Sequence, residues 1–179
     1  IRLYDQHPGQ LLIFVWNPLL VVEVAGSGHV DVLGIAFLIV ALLYAQIGGY
    51  GRAFGALAIS CLSKFFAICL VPIFWRWMCT RQKEDTALRQ RIGLMMDPRR
   101  AWPVLIFAAL VLLGYLPYLS AGEGLYRGLL TYAEHWEFNS PVFDLARKAF
   151  GGIVARGLII LVFGTGVLVI TIGRMPPVQ

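Results

Sequence analysis

A lysine lies near the middle of the longest apolar run of this chain, which extends over residues 53–78. If that run were one straight membrane helix, the Lys64 ammonium would be buried at the bilayer centre at a cost of about 2.5–3.5 kcal/mol. A hairpin with the arms 53–63 and 65–78 removes this cost. It places Lys64 at the apex, near the carboxyl end of the first arm, where the helix dipole favours a cation. The sequence therefore predicts a broken helical hairpin around Lys64.

Four further apolar runs and the composition predict an integral membrane protein. Of the 179 residues, 59% are hydrophobic and 14% are charged, whereas about a quarter are charged in soluble domains. The other runs cover residues 10–25, 30–46, 101–119 and 153–173. We expect an all-α, polytopic membrane helical bundle with about five hydrophobic segments in a single transmembrane domain. Because the chain starts without Met or a signal peptide and stops after PPVQ, we expect a fragment of a longer protein.

Positive charge predicts the orientation of the chain in the membrane. Seven of the 15 Lys and Arg residues lie between Arg76 and Arg100, so we expect the loop 79–100 to be cytoplasmic. This clustering also explains the net charge of +5, and we expect no nucleic-acid partner. The predicted location is a bacterial inner membrane, with the functional site facing outward and membrane lipids as partners.

The two alternatives for the run with Lys64 give different topologies. With the hairpin, the joint 48–52 is cytoplasmic, residues 25–34 form an outward corner and residues 120–152 form an external loop. With a straight span, the joint would lie outside and the corner inside. The hairpin is favoured because it keeps Arg52 on the cytoplasmic side and Lys64 away from the bilayer centre. Since a first arm of about 12 residues rises only about 18 Å, its apex should lie below the outer surface and line a pocket.

The outward corner, AGSGHVDVLG, carries a histidine and an aspartate between glycines. A structural role would explain Asp31, since Gly28 could be the N-cap of the next helix and Asp31 its third residue, where the helix dipole stabilises a carboxylate. The same carboxylate is suited to bind a sugar hydroxyl or a cation. Glu23 precedes the corner, and Lys64 should approach it from the hairpin apex. We therefore predict a site that contains His29, Asp31 and these two neighbours.

The external loop combines two predicted helices with a polar cluster. Apolar residues at helical spacing predict a surface helix over residues 123–135, and Ser140-Pro141 predicts the start of a second helix that runs through Ala149. An interfacial aromatic belt accounts for the tryptophan of the intervening AEHWEFN, but not for its two carboxylates and its imidazole. The candidate substrate-binding residues of this stretch are Glu134, His135, Glu137 and Asn139.

Three stretches of the chain carry a resemblance to a known family. They are WNPLLVVEVAGSGHVDVLGIAFLIVALLYA, ALAISCLSKFFAICLVPIFWR and GLLTYAEHWEFNSPVF. The chain resembles the C-type, multi-spanning glycosyltransferases, and above all the mannosyltransferase-like proteins of glycosyltransferase family 87 and their polyprenol-phosphate-mannose-dependent relatives. The match covers most of residues 11–173 in order, and GHVD and YAEHWEFN are its most specific parts.

The resemblance implies a hexosyltransferase that moves a sugar, most specifically mannose, from a polyprenyl-phosphate donor to a lipid or glycan acceptor at the extracytoplasmic face. Such enzymes usually carry their catalytic base in an early external loop, which this fragment is expected to lack, with Asp5 its one candidate remnant. His29 and Asp31 are then the predicted catalytic residues. Lys64 is the predicted phosphate ligand, because a cation stabilises the charge that develops on the leaving oxygen. Asp31 or Glu134 could hold a divalent cation with a neighbouring histidine.

Two other classes of function remain open from the sequence. A secondary transporter or flippase would use Asp31 and Lys64 as a gating or proton-coupled pair. Such a protein should show a repeated half, and the sequence shows no internal repeat. A non-catalytic membrane subunit would use the loop 120–152 to dock a partner.

Overall fold

A computed structural model describes residues 9, 12, 16–18, 22–26, 30–80, 88–135 and 141–173, and over these residues the protein is all-helical, as predicted. The α-helices are α1 (Asp31–Gln46), α2 (Tyr50–Ser63), α3 (Val71–Thr80), α4 (Leu88–Met95), α5 (Trp102–Tyr115), α6 (Gly124–His135), α7 (Pro141–Phe150) and α8 (Gly152–Ile172). The 3-10 segments are Phe65–Leu70, Pro98–Arg100 and Leu116–Ala121, and a π-helical turn covers Val22–Gly26. Half of the first predicted helix, 10–25, lies outside the described residues.

The chain reverses its direction at Lys64. Helix α2 ends at Ser63, Lys64 has an extended backbone (φ −157°, ψ 129°), and the first 3-10 segment begins at the next residue. The rings of Phe54 and Phe74, each ten positions from Lys64, meet edge to face with their centroids 6.4 Å apart. The two arms therefore run antiparallel, and the ammonium lies at the apex of a hairpin instead of inside a continuous helix.

Helix α1 packs antiparallel on α2. At one end, the Arg52 guanidinium lies 5.7 Å from the centre of the Tyr44 ring. Toward the other end, the buried Ser60 hydroxyl donates a hydrogen bond of 2.7 Å to the carbonyl oxygen of Gly34. Because these contacts tie both ends of α1 to α2, α1 begins beside the hairpin apex.

Helix α5 runs parallel to α2 and approaches it closely at two glycines. A Cβ added to Gly51 would lie 2.6 Å from the Trp102 ring, and one added to Gly114 would lie 2.7 Å from both methyl carbons of Leu62. The contact between Gly51 and Trp102 joins the starts of the two helices. The joint before α2 and the basic segment before α5 therefore lie at the same end of the fold, as the hairpin alternative requires.

The core lies where α1, α2, the hairpin and α5 meet. Its buried side chains are Ala41, Ala45, Ala53, Phe54, Ala56, Leu57, Ala58, Cys61, Ala67, Phe74 and Phe107. Six of these eleven residues are alanines. Small side chains let helix backbones approach closely, and the resulting van der Waals packing is one of the terms that drive helix association where lipid surrounds the helices.

Two helices of the described chain are long and apolar enough to cross a membrane. They are Trp102–Ala121, which consists of α5 and its 3-10 extension, and α8. Helix α1 and the segment Phe65–Thr80 are apolar but shorter. At this coarser level the structure agrees with a membrane protein, while the arrangement of five membrane segments stays a prediction.

The carboxyl end of α8 is fastened to α3. The buried Arg76 donates a hydrogen bond of 2.7 Å from Nη1 to the carbonyl oxygen of Ile170. This carbonyl belongs to the last turn of α8, where carbonyl groups lack helical partners and attract cations. Arg100 likewise donates to the carbonyl oxygen of Cys79 at 3.1 Å. The starts of α2 and α5 and the ends of α3 and α8 thus form one face, which we call the basic end.

Candidate functional site at the hairpin end

An ion pair between Asp31 and Lys64 marks the opposite face, which we call the hairpin end. The Lys64 Nζ lies 2.6 Å from the Asp31 Oδ1, so the ammonium donates a short, charge-assisted hydrogen bond to the carboxylate. The prediction that Gly28 caps α1 and that Asp31 is its third residue is wrong. Helix α1 begins at Asp31, directly after Val30, and no side chain in the described chain caps it. Asp31 still lies in the first turn, where the helix dipole favours a carboxylate.

Both members of the ion pair are partly accessible. The Lys64 side chain is 50% exposed and the Asp31 side chain is 39% exposed. A lysine ammonium has three donors and a carboxylate has two acceptor oxygens, so each group keeps hydrogen-bonding capacity beyond the contact between them. A polar ligand can therefore bind to either charge without first separating the pair.

Phe65 and Phe66 follow Lys64, and their rings contact two different helices. The Phe65 ring stacks on the Tyr115 ring of α5, with centroids 6.4 Å apart and planes inclined by 11°. The Phe66 ring lies near Gly34 of α1, where an added Cβ would be 3.8 Å from its Cε1. Both phenylalanines remain exposed. Apolar rings thus flank the charges, which suits a ligand with a polar head and an apolar tail.

Trp102–Ala121, which we call the α5 segment, extends farther than the ion pair does in the direction away from the basic end. Tyr115, which stacks on Phe65, is the last residue of α5, and Leu116–Ala121 extends six residues beyond it. A 3-10 helix rises about 2 Å per residue, so this extension adds about 12 Å. The 14 residues of α2 rise only about 21 Å, short of an apolar membrane core of about 30 Å. The apex therefore ends below the level that the α5 segment reaches.

The other predicted site residues belong to parts of the chain where side chains are not described. His29, Glu137 and Asn139 lie outside the described residues, as does Asp5. Glu23 lies in the π-helical turn, and Glu134 and His135 form the end of α6; for these three the backbone alone is described. The structure therefore brings together Asp31 and Lys64, and the participation of the remaining residues stays a prediction.

The segment 120–152 forms the two helices that the sequence indicates. Helix α6 covers Gly124–His135, close to the predicted 123–135, and α7 starts at Pro141. Proline is favoured at a first helical position because its fixed φ suits the helix and its missing N–H is not needed there. Gly151, with φ +83°, allows the sharp turn from α7 into α8. These helices connect the hairpin end of the α5 segment to the start of α8.

The described residues contain no group of three or more His, Cys, Asp and Glu side chains that could hold a metal ion. The carboxylate of Asp31 is engaged by an ammonium. The predicted divalent cation therefore depends on histidines whose side chains are not described.

Sequence reasoning did not predict the ring contacts of the site. Phe65 and Phe66 directly follow Lys64, and Tyr115 stacks on Phe65; no polar residue or spacing pattern in the sequence marks these three rings. The one available signal was the position of the two phenylalanines directly after the predicted apex, where side chains leave the hairpin on both sides.

Comparison with known proteins gives no match to this chain. No family model, no curated protein and no solved structure matches it.

Proposed function

We propose that the protein is a membrane glycosyltransferase that moves a hexose, most specifically mannose, from a polyprenyl-phosphate donor to a lipid or glycan acceptor at the extracytoplasmic face. The observation that carries this proposal is the accessible Asp31–Lys64 ion pair at the apex of a short hairpin. The proposal includes a polytopic bundle of five membrane segments in a bacterial inner membrane, with the hairpin end outward. The two membrane-length helices and the arginines at the opposite end support this orientation.

In this proposal Lys64 binds the phosphate of the donor. Its ammonium retains donors beyond the one that contacts Asp31. The exposed rings of Phe65 and Phe66 offer apolar surface to the first isoprene units of the carrier. Because the apex ends below the level of the α5 segment, the polyprenyl chain can stay in an apolar layer while its phosphate reaches Lys64.

Asp31 then orients the sugar, since its second carboxylate oxygen can accept a hydrogen bond from a hydroxyl group. During transfer, the bond between the anomeric carbon and the phosphate oxygen breaks, and a new bond to the acceptor oxygen forms. Negative charge develops on the departing phosphate, where the Lys64 ammonium stabilises it. The acceptor proton passes to a base, which the resemblance places in an early external loop, and His29 is the further predicted participant.

Donor kinetics of the full-length protein test this role of Lys64. Loss of a hydrogen bond to a charged group costs about 1.5–3 kcal/mol, so Lys64→Met should lower kcat/KM for polyprenyl-phosphate mannose about 10- to 150-fold. Lys148→Met is the matched control, because Lys148 is an exposed lysine of α7 outside the ion pair. Unchanged donor affinity and turnover in Lys64→Met would remove Lys64 from the site and overturn the proposal.

The ion pair itself favours one second candidate, a secondary transporter or flippase. A carboxylate and an ammonium from two helices that pair within a membrane protein are a common basis for gating or proton coupling. Reconstitution in proteoliposomes separates the candidates. Substrate flux that Asp31→Asn abolishes, without any transfer of sugar, would support the transporter.

A further inference from the structure

A segment at the basic end combines arginines with exposed apolar side chains. Residues 88–100 contain four arginines and one aspartate, which gives this segment a net charge of +3. The exposed side chains of this segment include Arg89, Ile92, Met96 and Arg99, and Trp102, the first residue of α5, is exposed as well. We call these five residues the arginine–tryptophan patch.

This patch is held against the helix ends. Helix α4 packs on α3, and Arg100 donates its hydrogen bond of 3.1 Å to the carbonyl oxygen of Cys79 at the end of α3. Asp97 accepts a hydrogen bond of 3.0 Å from the backbone N–H of Arg99 and so caps the 3-10 turn. The patch therefore has a fixed place on the basic end, although the sequence predicts a loop there.

The patch lies at the level where the apolar helices end. Trp102, 50% exposed, is the first residue of the membrane-length segment Trp102–Ala121. Met96 is 77% exposed and Ile92 is 44% exposed in the adjacent turn and helix. Tryptophan and apolar side chains next to arginines are typical of the boundary between headgroups and acyl chains. A soluble polyanion would leave this apolar surface in water, whereas a lipid surface covers it.

We propose that the arginine–tryptophan patch binds anionic phospholipids of the inner leaflet. Arg89 and Arg99 contact the headgroup phosphates, and Ile92, Met96 and Trp102 insert at the acyl boundary. This inference rests on the membrane placement proposed above, but not on glycosyl transfer. Each arginine near an anionic membrane surface changes lipid binding about fivefold.

Lipid retention by the purified full-length protein tests this assignment. In native mass spectrometry, the unsubstituted protein should retain phosphatidylglycerol more strongly than phosphatidylcholine. The double variant Arg89→Gln/Arg99→Gln should bind phosphatidylglycerol about 10- to 25-fold more weakly, with little change for phosphatidylcholine. The matched control Arg127→Gln/Arg147→Gln also removes two positive charges, but at the hairpin end, and it should bind like the unsubstituted protein.

Three results would overturn the assignment. They are equal retention of both lipids by the unsubstituted protein, unchanged phosphatidylglycerol binding in the double variant, and displacement of phosphatidylglycerol by millimolar inorganic phosphate. Met96→Ser gives a separate measure of the apolar contact and should weaken retention of both lipids. Sugar transfer by the double variant in phosphatidylcholine nanodiscs should equal that of the unsubstituted protein, because the patch lies away from the candidate site. If no variant and not even the unsubstituted protein transfers sugar, that result counts against the proposed function and leaves the lipid-binding assignment to the retention measurement.

Discussion

The coupling between Asp31 and Lys64 is measurable with a double-mutant cycle. At an Nζ–Oδ1 distance of 2.6 Å, the Coulomb attraction is about 1.6 kcal/mol in the dielectric of water and about 6 kcal/mol at an effective dielectric constant of 20. Because both side chains are partly exposed, screening and lost side-chain entropy reduce the net coupling to about 1 kcal/mol. Asp31→Asn and Lys64→Met should each lower the free energy of unfolding. The double variant should be about 1 kcal/mol more stable than the sum of the two losses predicts.

Reversible unfolding of the full-length protein in mixed detergent micelles, titrated with dodecyl sulfate and followed by circular dichroism, gives these free energies. The matched control is the pair of Glu123 and Arg127, whose charged atoms lie 3.7 Å apart and whose side chains are 94% and 77% exposed. Glu123→Gln and Arg127→Gln should show coupling close to zero. Additive losses at Asp31 and Lys64, or coupling no larger than in the control pair, would show that the ion pair does not hold α1 to the hairpin apex.

Two further predictions concern the packing beneath the site. Ser60→Ala should lower the free energy of unfolding by about 1 kcal/mol, because it removes a buried hydrogen bond that joins α2 to the Gly34 carbonyl of α1. In the same titration Ser63→Ala should change stability less, because that exposed hydroxyl bonds within its own helix. Equal effects of the two substitutions would contradict this. Gly114→Ala should be less stable than Gly93→Ala by about 1–3 kcal/mol, because its new methyl group collides with Leu62 between α2 and α5. Gly93 has open space around it, so equal stability of the two variants would show that α2 and α5 part without strain.

The hairpin was predictable from the sequence because one residue decides it. A charged group in the middle of an apolar run makes a straight membrane helix costly, by about 2.5–3.5 kcal/mol at the bilayer centre, and so favours a break in the helix. The position of Lys64 therefore predicts which residue interrupts the helix. Counting the membrane segments on either side of this break then predicts that α2 and α5 start at the same end of the fold. Periodicity alone did not distinguish the 3-10 backbone of Phe65–Leu70 from an α-helix, because a short apolar run fits both.

The basic segment was harder to predict. Residues 79–100 were expected to be a loop because their charge density hides any apolar periodicity. Within this range, the structure instead has helix α4 (Leu88–Met95) and a 3-10 turn (Pro98–Arg100). The side-chain contacts that stabilise this segment, such as that of Arg100 with the end of α3, join residues far apart in sequence, and no local pattern encodes them.

Part of the candidate site, the Asp31–Lys64 ion pair, was predictable from the sequence. Both members of the ion pair followed from their places at the corner and at the apex, and their contact followed from antiparallel packing. The ring of Tyr115 stacks on Phe65 because α5 packs parallel to α2. That packing depends on the close approach at Gly51 and Gly114, which the sequence alone does not reveal.

The hydrogen bond from Arg76 to Ile170 fastens the carboxyl end of α8 at the basic end, so this contact is the pivot for any tilt of the helix. Helix α8 has 21 residues and is about 32 Å long, so a tilt of roughly 10° about that pivot moves its other end by about 5 Å. The amino end of α8 leads through Gly151 directly from α7. A small rotation at the basic end would thus shift the amino end of α8, and with it the adjoining end of α7, by several times the size of the motion at the pivot.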